Sequence, residues 1–258
     1  MIDVVKHTQP RDPTTGLRRL NLTAGLVHLA QAIVFLLIAE PVSLQVTSTF
    51  ASGPPGEAVS PDRLEVLFSY EIAPAVALFS LLSAVFHLLI VSPLGWRRYN
   101  AELQQGQNRF RWVEYSLSAS LMIVLIAGIT GISDIAALVA LFGVNVSMIL
   151  FGWLMETTND PGPDASWTPF VFGCIAGAVP WIAIAVYLFG AAEPPGFVYA
   201  IFVSLFLFFN CFAVNQWLQY RQIGPWRRYL TGERTYIVLS FVAKSALAWQ
   251  IYANVLVG

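Results

Sequence analysis

Charge is what this sequence has least of. Asp, Glu, Lys and Arg make up 11% of its 258 residues, against roughly a quarter in an ordinary soluble domain. Hydrophobic residues reach 57%. A soluble fold cannot hide that much apolar surface, and the even spread of apolar runs points to a polytopic membrane protein. Lysine is scarcer still, with only Lys6 and Lys244 in the chain. Cysteine also occurs twice, as Cys174 and Cys211, each inside an apolar run. That argues against a disulfide framework and makes both expected packing residues. The net charge is −1, so nothing suggests a nucleic-acid partner. The first 17 residues are polar and contain Pro10 and Pro13. No short apolar region with a small-residue cleavage site follows them, so no removable signal peptide is expected. No internal repeat is visible, and residues 1–258 read as a single domain.

What the chain does have is seven apolar segments. They run about Leu20–Glu40, Ile72–Ser92, Trp112–Ile132, Asp134–Glu156, Trp167–Ala192, Phe197–Tyr220 and Thr235–Gly258. Each is long enough, at ~1.5 Å per residue, to cross a ~30 Å hydrocarbon layer. Pro93 with Gly95, Pro161-Gly162-Pro163, Pro194-Pro195-Gly196 and Gly224-Pro225 mark connections between them. Cations then set the direction. With the N-terminus in the cytoplasm, the inner side holds Lys6, Arg11, Arg18, Arg19, Arg97, Arg98, Arg109, Arg111, Arg221, Arg227, Arg228 and Arg234. The outer side holds Arg63 alone, and Lys244 lies in the membrane. Twelve against one places the N-terminus on the cytoplasmic side of the cell membrane and the C-terminus outside. Pro41 to Tyr70 then forms a long outer loop. Val42, Leu44 and Val46 alternate with Ser43, Gln45 and Thr47, a period of two that predicts a strand. Ser52-Gly53-Pro54-Pro55-Gly56 turns the chain, and a short β-hairpin over the outer face is expected.

Few ionisable groups lie within the spans: His28, His87, Glu114 and Lys244. Counted from the cytoplasmic ends, His28, His87 and Lys244 sit about 7–14 Å deep, with Glu114 in the first turn of its span. An ammonium at such a depth costs about 2.5–3.5 kcal/mol on insertion scales. A buried lysine therefore needs a partner, or chemistry that stabilises its charge. Attack of the amine on a carbonyl, giving a Schiff base, is that chemistry. Glu114 is the natural counterion, because each charge lowers the cost of the other. Ser83 lies one helical turn from His87, and Ser240 one turn from Lys244. Together they predict a small polar pocket in which histidine can hold a proton. Two blander readings stay open at this point: a structural Lys244–Glu114 ion pair, or a proton relay in a transporter. Glu156 reads as a charge at the cytoplasmic end of its span, and Asp134 as a helix-start residue. Trp96, Trp167, Trp226 and Tyr229 read as interfacial belt residues. Pro180 is expected to kink the fifth span.

The block SFVAKSALAWQIYAN, Ser240 to Asn254, resembles the seventh helix of the heliorhodopsins, which are retinal-binding membrane proteins. RWVEYS, Arg111 to Ser116, is the next most specific piece. The seven spans, the inverted orientation and the long outer loop resemble that family too. The resemblance implies an all-α membrane protein: a rhodopsin-like bundle of seven transmembrane helices with a short β-hairpin in the first extracellular loop. It implies all-trans retinal on Lys244 as a protonated Schiff base, with Glu114 as sole carboxylate counterion. His28, His87, Ser83 and Ser240 match the family's Schiff-base cavity. Tyr115, Asn145, Met148, Ile149, Pro180, Trp181, Phe206, Phe209, Asn210 and Gln216 match positions lining or flanking the retinal pocket. The function implied is non-enzymatic light sensing with a slow photocycle and without ion transport. A light-driven pump or light-gated channel is the alternative, and a proton-coupled transporter a further one. Ion pumps usually carry a second carboxylate one turn before the lysine, where this chain has Ser240, and proton pumps another where it has Leu125. The sixth span reads LFLFFNCF in place of the pumps' Trp-x-x-Tyr-Pro pattern. The lipid bilayer is the expected surrounding, a homodimer the expected assembly, and the signalling partner is unidentified.

Overall fold

The computed structural model describes residues 14–51, 53–56 and 63–257. Lys6 and Arg11, which entered the orientation count, lie outside the described residues, as does part of the expected turn after Phe50. Among the described residues eight α-helices and two strands follow in order: α1 (Thr15–Ile38), β1 (Ser43–Thr49), β2 (Leu64–Glu71), α2 (Ile72–Val91), α3 (Pro93–Gln104), α4 (Arg109–Ile129), α5 (Ile135–Thr158), α6 (Thr168–Gly190), α7 (Gly196–Tyr220) and α8 (Tyr229–Val255). All but α3 are long and apolar enough to cross a membrane. The seven expected spans are therefore present, each as one continuous helix.

Helix α4 is the most enclosed of the seven and α7 the least. α4 carries Glu114, so its burial sets where the site lies. α1 packs closely against α2, and Gly25 permits it: a Cβ there would stand 3.1 Å from the His87 Cβ. That approach brings the histidines of two helices together. The half of the bundle nearer the strands is filled by apolar side chains, among them Phe35, Phe79, Ile123, Ile126, Ile184 and Leu247, each fully buried.

The alternating segment does form a hairpin. β1 pairs with β2 antiparallel, Ser43 opposite Glu71, with an irregularity between Val46 and Thr47. The Thr47 N–H donates to the Ser133 carbonyl at 2.8 Å, which anchors the hairpin to the start of α5. Asp134 caps α5 by accepting from the N–H groups of Ala136 and Ala137, each at 3.0 Å, as its helix-start reading requires.

Three differences from expectation have local causes. Pro93 and Gly95 do not merely turn the chain. Pro93 starts α3, where its missing N–H costs nothing, and the Ser92 hydroxyl accepts from the Gly95 N–H at 3.1 Å. α8 begins at Tyr229, six residues before the expected Thr235, because Glu233 is buried and paired rather than solvated. Cys174 and Cys211 are free and exposed, not packed in the core as expected.

Candidate functional site

The four titratable groups of four helices do converge. The Lys244 ammonium of α8 donates to Glu114 Oε1 of α4 at 2.6 Å and to the Ser240 hydroxyl at 2.8 Å. Ser83 of α2 donates to the same Glu114 oxygen at 2.7 Å. Lys244 is 3% exposed and Glu114 4%, so neither charge is shared with bulk solvent and each depends on the other. The amine also lies 5.1 Å from the centre of the Tyr115 ring, close enough for cation–π attraction. His28 and His87 stack at 6.1 Å beside the pair. Both ring nitrogens of His28 lack a hydrogen-bond partner among the described residues. His87 Nδ1 lies 2.7 Å from Asn21 Oδ1.

An apolar space leads away from the amine. Its first part, about 50 Å³, is lined by Lys244, Ser240, Tyr115, Met122, Met148 and Phe212, among others. It shares the walls Tyr115, Met148, Ile149, Phe209 and Phe212 with a larger cavity of about 280 Å³. Trp181, Phe206, Asn210 and Gln216 line that larger part. Trp181 meets the rings of Phe206 and Phe209 edge to face at 5.5 and 5.4 Å. Gly177 opens the slot, since a Cβ there would come within 2.6 Å of the Met148 sulfur. Asn210 lies at the exposed edge and bonds back to the Phe206 carbonyl at 2.8 Å. Asn145 and Pro180 are buried but border neither part; Asn145 donates to the Ser120 hydroxyl at 3.0 Å. Phe212 and Met122 line the space and were not singled out as pocket positions; nothing in their local sequence separates them from other apolar helix residues.

A second charged cluster, unforeseen, lies toward the α3 end. Arg111 donates from both guanidinium arms, to Glu233 of α8 and to Glu156 of α5. Trp112 and Tyr229 also donate to Glu156, the Tyr229 hydroxyl at 2.8 Å. The Asn108 backbone N–H donates to Glu156 at 3.0 Å and its side chain to Glu233 at 2.8 Å. Tyr99 of α3 donates to Glu233 at 2.9 Å. Burial, with the Glu233 carboxylate beside it, holds the Tyr99 phenol well above its ordinary range, so it remains a donor. Glu156 is thus a buried lattice member, 5% exposed, and not a snorkelling end charge; Tyr229 belongs to the same lattice and not to a belt. Two carboxylates face Arg111, so its charge is balanced inside the protein. The available signal was Arg111 itself: a guanidinium inside a span demands carboxylates.

Seven apolar spans wrapped around a buried amine, its carboxylate and an adjoining aromatic slot define a rhodopsin-type membrane protein. A solved cyanorhodopsin from the cyanobacterium Tolypothrix sp. NIES-4075 has the same fold. It aligns with a TM-score of 0.59 over 92% of this chain and 94% of its own, at 13% identity. A search of curated proteins finds no match. The heliorhodopsin family model matches residues 17–256. The chain belongs to the heliorhodopsin family, a family of light-sensing retinal proteins rather than enzymes.

Proposed function

We propose that this protein is a photosensory receptor carrying all-trans retinal on Lys244 as a protonated Schiff base, with Glu114 as counterion. Its N-terminus faces the cytoplasm, it cycles slowly after light, and it moves no ion across the membrane. The observation that carries the reading is the 2.6 Å contact between Lys244 and Glu114 at one end of the aromatic slot. The residues present suit such a chromophore. An amine stands at one end, a carboxylate beside it, and apolar walls lead away from both. The bound retinal supplies light absorption and isomerisation. Glu114 supplies the negative charge that keeps the linkage protonated, Ser83 orients Glu114, and Ser240 holds the other side of the nitrogen. The absence of transport is supported by the apolar filling of the strand-side half. Leu125 is 2% exposed within it, where a proton pump needs a carboxyl. A homodimer belongs to the same reading. Leu64, Val66, Leu67 and Phe68 of β2 are all exposed, offering an apolar edge to a second copy.

The chromophore assignment is checked by purifying the protein with added retinal and recording a visible spectrum. Wild type gives a visible band and Lys244→Ala gives none. A band that persists in Lys244→Ala without an added amine removes Lys244 from the assignment. A wild type that binds no retinal returns the Lys244–Glu114 pair to a proton-coupled role.

A further inference from the structure

Asn21 takes no part in the reading above, yet it is fully buried on α1 and its hydrogen bonds leave it one orientation. Its side-chain N–H donates to the Leu17 carbonyl at 2.9 Å. A carbonyl can only accept, so the amide nitrogen must face Leu17. The amide oxygen then faces His87 Nδ1 at 2.7 Å, and an oxygen can only accept in turn. Reversing the amide would set its oxygen against the Leu17 oxygen and lose that bond. His87 therefore has to be the donor at Nδ1. In a neutral imidazole only one nitrogen carries a proton, and the bond made by one nitrogen decides which. The lone pair is left on Nε2.

We infer that Asn21 is a positioning residue that locks His87 in its Nδ1-protonated form, so that Nε2 is the nitrogen open to a further proton. His28, stacked on His87, meets no accept-only group of this kind; its polar neighbour is the Gln31 amide, which can serve either tautomer. The two histidines, alike by sequence, are thus unlike by chemistry. His87 borders a small cavity of about 20 Å³ together with Glu114, Arg111, Glu233, Asn21 and Asn108. That is room for about one water. The groups facing His87 are Asn21 and His28 from α1, Glu114 and Arg111 from α4, and Glu233 and Lys244 from α8. A proton gained at Nε2 makes both ring nitrogens donors and strengthens the bond to Asn21, since charge-assisted bonds are stronger. Asn21 also faces the Tyr99 hydroxyl, which donates to Glu233. A charge change on His87 is thereby felt at the Arg111 lattice without a proton leaving the protein. This last consequence rests on the photoreceptor reading; the tautomer does not.

The chain has three histidines, which makes a direct test practical. Protein labelled with nitrogen-15 at histidine is studied by NMR in lipid, without retinal, and the His87 signal is assigned by its loss in His87→Phe. Wild type is expected to show neutral His87 with the proton on Nδ1. Asn21→Leu is expected to move that proton to Nε2, and Asn21→Asp, whose carboxylate still accepts, to keep it on Nδ1. Wild-type His87 protonated on Nε2 when neutral overturns the inference whether or not any variant folds. An Asn21→Leu protein that keeps the Nδ1 proton overturns it as well. Neither outcome bears on whether Lys244 carries retinal.

Discussion

The Lys244–Glu114 contact decides most of the behaviour expected at the residue scale. An opposite charge 2.6 Å away favours the charged form of whatever nitrogen occupies the Lys244 position. Glu114→Gln keeps the shape and the hydrogen bond to Ser83 but removes the charge. The protonated linkage then loses its counterion, so the visible band gives way to near-ultraviolet absorption at a lower pH than in wild type. A nearby opposite charge is typically worth roughly 1–3 pH units in such a transition. Glu114→Asp retains the charge and is expected to shift the colour modestly with little change in the transition. A pH titration of the visible band checks both. An unmoved or raised transition in Glu114→Gln makes another group the counterion. Glu102, Glu156 and Glu233 are the other buried carboxylates described; Glu102 pairs with Arg98 and Arg109, and Arg111 engages the other two.

At the scale of elements, the Arg111 lattice ties α4 to α5 and α8, and through Tyr99 to α3. These are the helices that hold Glu114 and Lys244, so the lattice fixes the site's geometry from one end. Breaking one partner of a buried ion pair costs about 3–5 kcal/mol, because the other charge is left unpaired. Arg111→Met is therefore expected to destabilise the protein by that amount in chemical unfolding. The triple variant Arg111→Met, Glu156→Gln, Glu233→Gln should recover much of it, having no charge left to strand. A loss below about 1 kcal/mol in Arg111→Met would mean that the three residues do not share their charges. The lattice also marks the limit of what the sequence discloses. Seven spans, the hairpin and the Lys244–Glu114 pair are local patterns or rare residues, and both kinds of signal survive in one dimension. Glu233 and Glu156 sit at the polar ends of apolar runs, where charge ordinarily meets water; only the folded partner Arg111 makes them interior. α3 was hidden for a related reason, since Pro and Gly read as a turn unless the helix they begin is seen.

For the molecule as a whole the question is where a proton displaced from the site can go. Toward the strand side, α4 beyond Ser120 presents Met122, Ile123, Leu125 and Ile126, none more than 2% exposed, packed among other apolar side chains. No ionisable group of α4 lies on that path. Toward the α3 end stand Glu114, His87 and the small cavity they share with Glu233 and Arg111. There the carboxylates are held by Arg111, Asn108 and the tyrosine hydroxyls, so a proton that arrives meets acceptors already engaged. Arg111 helps less by repelling the proton than by keeping its two carboxylates in fixed positions. On the proposed reading both histidines serve as temporary holders, so replacing one alone is expected to leave the transfer intact. Retention inside this pocket, followed by return, is the expected course. A pH-indicating dye added to the purified protein in detergent is therefore expected to show no released proton that matches the rise of the deprotonated intermediate. Illuminated cells should likewise show no sustained light-driven current. One proton released per cycle, timed with that intermediate, would show that the pocket opens to solvent, and a robust current would make the protein a transporter and not a sensor.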